Sequence, residues 1–99
     1  MPVIEHISRF HDDMTAWRRD LHTYPEPAFK EVHTADIVAG LLEEFGIPVH
    51  RGLAKTGDVC SLVSGDEPRL GLRADIDALF IQEANDFEHK SRHDGKMHA

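Results

Sequence analysis

A chain of 99 residues is long enough for one small domain but leaves little stability to spare, because a domain of this size buries only roughly 60–65% of its unfolded surface. Hydrophobic residues at 40% and charged residues at 29% speak against a disordered or membrane-embedded chain. Eleven Lys and Arg against eighteen Asp and Glu give a net charge of -7, and no basic run offsets it, so nucleic acid is not an expected partner.

The amino terminus, Met1-Pro2-Val3-Ile4-Glu5-His6, carries an early acid and no continuous apolar stretch. Neither a secretory signal nor a membrane anchor is expected there, which points to a cytoplasmic protein. Val3, Ile7, Phe10, Met14, Trp17 and Leu21 then recur at steps of four and three, the spacing of one helix stripe. A first helix is predicted from this stripe to about Thr23. Pro25 ends it, because the residue before a proline is pushed out of the α region. A second stripe, Thr34, Ile37, Val38, Leu41, Leu42 and Phe45, predicts a helix over 30–45, closed by Gly46 in a left-handed conformation.

Beyond Pro48 the period falls to two. Residues 49–51 and 59–63 read as strands, the second apolar enough to be covered on both faces, with Cys60 as a small buried thiol rather than a nucleophile. Gly65-Asp66-Glu67-Pro68 has turn composition and would join that strand to a third over 69–74, forming a hairpin. From residue 83 to 99 little apolar character remains, and the tail reads as loop. Two helices followed by three strands make an α/β arrangement. A strand buried on both faces requires more covering structure than such a tail supplies, so the fold is expected to be incomplete.

Asp75 and Asp77 follow the third predicted strand, and their i, i+2 spacing would set both carboxylates to one side, as a cation site requires. Ligands gather beyond the carboxyl ends of strands in open α/β sheets. An Asp pair closing a strand is also a common turn device, with Arg73 as its neutralising neighbour. Eight histidines are many for this length, and His89 and His93 stand at the i, i+4 spacing of a helical metal site, with His98 close behind. With no helix in view there, solvated imidazoles are the simpler expectation. His22 and Glu26 on the connection between the helices have the composition of an acid–base pair, or of an ordinary helix-ending turn.

Taken together, Trp17-Arg18-Arg19-Asp20-Leu21-His22, Pro25-Glu26, Thr56-Gly57, Gly71-Leu72-Arg73-Ala74-Asp75-Ile76-Asp77-Ala78-Leu79 and Ile81-Gln82-Glu83-Ala84-Asn85 resemble the start of an M20-type metallopeptidase. The likeness is closest to hippurate hydrolases, N-acyl-amino-acid amidohydrolases and auxin-conjugate hydrolases. The resemblance implies that residues 1–99 are an amino-terminal fragment of an α/β catalytic domain with a mixed central sheet, without the lid or dimerisation domain. It implies two divalent metals (zinc, manganese, cobalt or nickel), an N-acyl amino acid substrate and a homo-oligomeric full-length protein. In that subfamily the segment resembling Met97-His98-Ala99 is followed by Cys-Gly-His-Asp, whose Cys and His bind metal. The chain is therefore expected to lack the ligands, bind no metal and be inactive. Asp75-Ile76-Asp77 falls where other branches carry His-x-Asp, which makes Asp77, and beside it Asp75, the supporting catalytic groups implied by resemblance.

Three positions depart from the pattern: Tyr24 for a histidine, Phe80 for the proline of Asp-Ala-Leu-Pro, and Asp58 for a valine. An acid beside a strand covered on both faces is costly without a partner, so Asp58 is expected either at an exposed strand start or as a weak point. The competing expectations are a non-catalytic small domain that binds a partner, and a small metal site built from the histidine-rich tail with Asp75 and Asp77.

Overall fold

The computed structural model describes residues 3–66 and 69–99. Three helices and one hairpin follow in chain order: α1 (Glu5–Ser8), α2 (His11–Thr23), α3 (Val32–Glu44), β1 (Val49–Leu53) and β2 (Gly57–Cys60).

The single helix expected from Val3 to Thr23 is broken in two. Phe10 stands between the pieces at φ -93°, ψ 5°, and its amide bonds Ile7 at 3.0 Å instead of a residue four back. The reason is tertiary: Val3, Ile4, Ile7 and Phe10 are all exposed, so the front half of the stripe is left uncovered and packing does not hold the helix straight. The back half is anchored, with Trp17 tilted against Phe45 at 5.9 Å between ring centroids. The predicted stop holds, since α2 ends at Thr23 and Pro25 is fully buried.

Helix α3 starts two residues later than expected and is capped from outside. Glu26, on the preceding connection, accepts the backbone N–H of His33 at 3.1 Å and of Thr34 at 2.6 Å, and the Thr34 hydroxyl at 2.8 Å. These amides have no partner inside the helix, and a carboxylate there also faces the positive end of the helix dipole. At the other end Gly46 takes φ +80°. Its N–H bonds the Glu43 carbonyl, and Ile47 N–H reaches back to Leu42, each at 2.9 Å, the two-bond Schellman closure. Gly46→Ala should cost about 1 kcal/mol and fray the last turn, read as faster amide exchange at residues 45–47.

Strands β1 and β2 pair antiparallel, Val49 with Cys60, His50 with Val59, Arg51 with Asp58 and Leu53 with Gly57. The register slips at Gly52, whose φ is +88°. The turn puts both Ala54 (φ 51°) and Lys55 (φ 77°) in the left-handed region, which suits a tight hairpin but is strained for residues with a Cβ. Gly57 closes it because a side chain there would sit 2.6 Å from the Leu53 carbonyl oxygen. Asp58 is neither exposed nor left alone: its side chain is buried, and Arg51 Nε donates to it at 3.3 Å across the pair. Arg51 also pairs with Asp36, tying the hairpin to α3.

The longer strand expected over 59–63 ends at Cys60, which is exposed rather than buried. No strand forms over 69–74, and of the turn expected at 65–68, Glu67 and Pro68 lie outside the described residues. The physical cause is exposure: Leu62, Leu70 and Leu72 are 82%, 86% and 91% exposed, so among the described residues their apolar alternation is not covered and no strand pairs with it. Among the described residues, sheet character reappears as isolated bridges, Pro27 parallel to Ala78 and Leu79 antiparallel to Met97. Among the described residues the buried apolar side chains include Ala35, Ala39 and Ala78, and around them the buried positions are small or polar: Thr23, Pro25, Pro27, Glu31, Thr34 and Glu83.

Candidate functional site

The two bridges bring distant segments together beside the end of α2. Ala78 N–H bonds the Glu26 carbonyl at 2.7 Å, and Leu79 and Met97 exchange both backbone bonds, at 2.9 and 3.1 Å. Asp77 and His98 therefore flank a common ladder although 21 positions separate them in the chain. Asp75 and Asp77 are both exposed and Ile76 between them is half-buried, an alternation that continues the extended path into Ala78. Asp75 pairs with Arg73 at 3.2 Å, but both side chains are largely in water, where such a pair contributes little.

The buried acid of this region is Glu83, whose side chain is 1% exposed. His22 Nε2 donates to its carboxylate across 61 positions, and the Ser91 N–H donates to the same group at 3.2 Å. Burial by itself would raise the Glu83 pKa. The His22 hydrogen bond, the Ser91 amide and the charges of His22 and Lys90 outweigh it and hold the carboxyl below its ordinary range. His22 thus pairs with Glu83 and not with Glu26, which caps α3 instead.

Around His22 lie the other aromatic groups of the tail. Phe87 and His89 stack at 4.0 Å, and His22 meets His89 edge-on at 5.8 Å and His98 at 6.5 Å between centroids. Burial lowers the pKa of both imidazoles, with His22 adding to it in each and Arg19 and Arg18 at His89; Asp77 pulls His98 the other way. Nε2 of His98 is buried and has no hydrogen-bond partner among the described residues. His93 is elsewhere, with Nδ1 at 2.8 Å from the Pro25 carbonyl oxygen, so the three tail histidines do not act together. An open cleft of about 470 Å³ separates α2 from 75–76, lined by Arg18, Leu21, His22, Asp75, Ile76 and His98.

Among the described residues no three His, Cys, Asp or Glu side chains are placed to hold a metal ion. His22 also has Nε2 committed to Glu83. The residues present do not by themselves fit a metal centre, and the tail histidines with Asp75 and Asp77 do not assemble one. Glu83 is the residue that sequence reasoning passed over: it lies inside a quoted motif, but a lone acid in a polar tail gives no local signal that it will be buried. No described helix is long and apolar enough to cross a membrane.

No family model matches the chain. Individual proteins do. An IAA-amino acid hydrolase ILR1-like 4 from Arabidopsis thaliana is 43% identical over 90 residues, covering 91% of this chain and 20% of that protein. A hippurate hydrolase from Campylobacter jejuni is 39% identical over 100 residues, covering 100% of this chain and 26% of that protein. The crystal structure of the Bacillus subtilis YxeP protein, a dinuclear metal-binding peptidase of the M20 family, superimposes with a TM-score of 0.84 at 40% identity, over 92% of this chain and 26% of that one. The chain spans between 20% and 26% of the length of these relatives. Such identity, together with the shared backbone, places the chain in the M20 metallopeptidase family, where it corresponds to the amino-terminal part of the peptidase domain.

Proposed function

We propose that the chain is the front of a metal-dependent amidohydrolase that cleaves the amide bond of N-acyl amino acids such as hippurate, releasing a carboxylic acid and a free amino acid. The observation that carries this reading is the likeness to a hippurate hydrolase over 100% of this chain and to a dinuclear metal-binding peptidase over 92% of it. In this reading the metal ligands and the lid or dimerisation domain lie outside residues 1–99, and the chain alone turns over no substrate. A bound metal pair would supply a polarised carbonyl and an activated water. What this chain contributes is support: Asp77, and beside it Asp75, stand on the extended segment that pairs with the tail, where a carboxylate can orient a neighbouring ligand. A free-standing, non-catalytic module is disfavoured, because three buried alanines do not make an independent core.

The test uses two preparations of verified intact mass: the 99-residue chain and a form extended to the length of the relatives. With hippurate or acetylated amino acids and added zinc, manganese, cobalt or nickel, the extended form should hydrolyse substrate and the chain should not. Asp77→Asn in the extended form should lower kcat roughly 10–100-fold. Metal-dependent turnover by the 99-residue chain would overturn its assignment as a support piece, and an inert extended form would overturn the amidohydrolase itself.

A further inference from the structure

The tail from 83 to 99 has almost no regular structure, yet it is held at a definite place. Its fixed points are few: Arg92 N–H on the Thr23 carbonyl at 2.8 Å, His93 on the Pro25 carbonyl, Gly95 N–H on Gln82 at 2.6 Å, and the Leu79–Met97 pair. The first two set the tail against the end of α2 and the connection that follows it. One side chain bridges the two elements from a buried position, namely Glu83, which takes His22 of α2 on one side and Ser91 of the tail on the other. A buried carboxylate has no water to fall back on, so its donors are strongly specified, and charge-assisted bonds of this kind are the strong ones.

We propose that Glu83 is a positioning residue: through His22 and Ser91 it latches the tail onto α2 and so fixes the Leu79–Met97 pairing that places His98. This deepens the amidohydrolase reading, because in that reading the groups following Met97-His98-Ala99 hold the metals, and the latch sets where they begin. The latch itself is a property of this chain and stands or falls without any catalysis.

The test is hydrogen exchange by mass spectrometry on the form extended to the length of the relatives, comparing a tail peptide containing Met97 with a peptide from α3. His22→Leu removes the donor and leaves Glu83 buried without it. The Met97 peptide should then exchange roughly tenfold faster or more, while α3 is unchanged. His22→Gln retains an amide N–H that can donate to Glu83 and should recover most of the protection, a rescue that loss of packing alone would not give. Glu83→Ala, which removes both acceptor oxygens, should reproduce the His22→Leu pattern. Equal acceleration in α3 and the tail, equal effects of Leu and Gln at position 22, or an unchanged Met97 peptide would each overturn the proposal. None of these results depends on whether the extended protein hydrolyses hippurate.

Discussion

At micromolar concentration the isolated 99-residue chain should self-associate, and replacing Leu62, Leu70 and Leu72 together by lysine should return it to an 11.2 kDa monomer. The expectation follows from surface area. A compact protein of this mass exposes about 5,700 Å², whereas this chain exposes 8030 Å². Its radius of gyration of 15.5 Å also exceeds the roughly 12.6 Å of a compact domain of equal length. The excess is not spread evenly, since the three leucines are among the most exposed side chains and lie on segments that form no strand among the described residues. An apolar patch next to unpaired strand-like backbone is the arrangement that recruits another chain. Sedimentation velocity checks the outcome directly. A wild-type chain that stays monomeric at 100 µM, on the order of the concentration at which such patches associate, would show that the surface is tolerated as it stands.

The same missing neighbours explain which parts of the fold were legible in the sequence. Local devices were. Gly46 closes α3 because only its own backbone conformation is involved, and Pro25 stops α2 for the same reason. The 59–63 and 69–74 runs read as strands because their alternation is correct for a covered sheet, yet here only Val59 and Cys60 pair, in β2, and 61–63 and 69–74 form no strand; alternation cannot become a strand without a partner. Cys60 follows the same logic, since an apolar run predicts burial only if something buries it. The Phe10 break shows the complement, a continuous stripe that no neighbour holds straight.

The candidate site divides in the same way. Asp75 and Asp77 stood out by spacing, and the structure sets them on an extended segment at a sheet-like junction, though as exposed groups with no metal cluster around them among the described residues. The Glu83 bond to His22 spans 61 positions, and nothing in the spacing of either residue announces it. Resemblance marked both motifs without pairing them. Asp58 reads as a liability in the sequence, and Arg51 answers it from the directly opposite position, a cross-strand pairing that becomes readable once the hairpin register is known.

Glu26→Ala should destabilise α3 by about 1–2 kcal/mol, a larger effect than Gly46→Ala. Glu26 satisfies two amides at the start of the helix and also the hydroxyl of Thr34, a residue 1% exposed that has no water to turn to. Its pKa reflects the balance: burial raises it, but the Thr34 and His33 amides, the Thr34 hydroxyl and the His33 charge together bring it below the ordinary value of 4.5. The sign of the pH dependence follows. A carboxyl with a depressed folded-state pKa contributes its stabilisation in full above the unfolded value and loses it as pH falls through the folded one. Amide exchange at His33 and Thr34 should therefore be slow and pH-corrected rates flat above pH 4.5, then accelerate below it. Glu26→Gln keeps an oxygen acceptor but no charge, so it should show intermediate protection and lose that acid-induced acceleration. If the Ala and Gln variants both protect His33 and Thr34 as well as the wild type does, Glu26 is not what starts the helix.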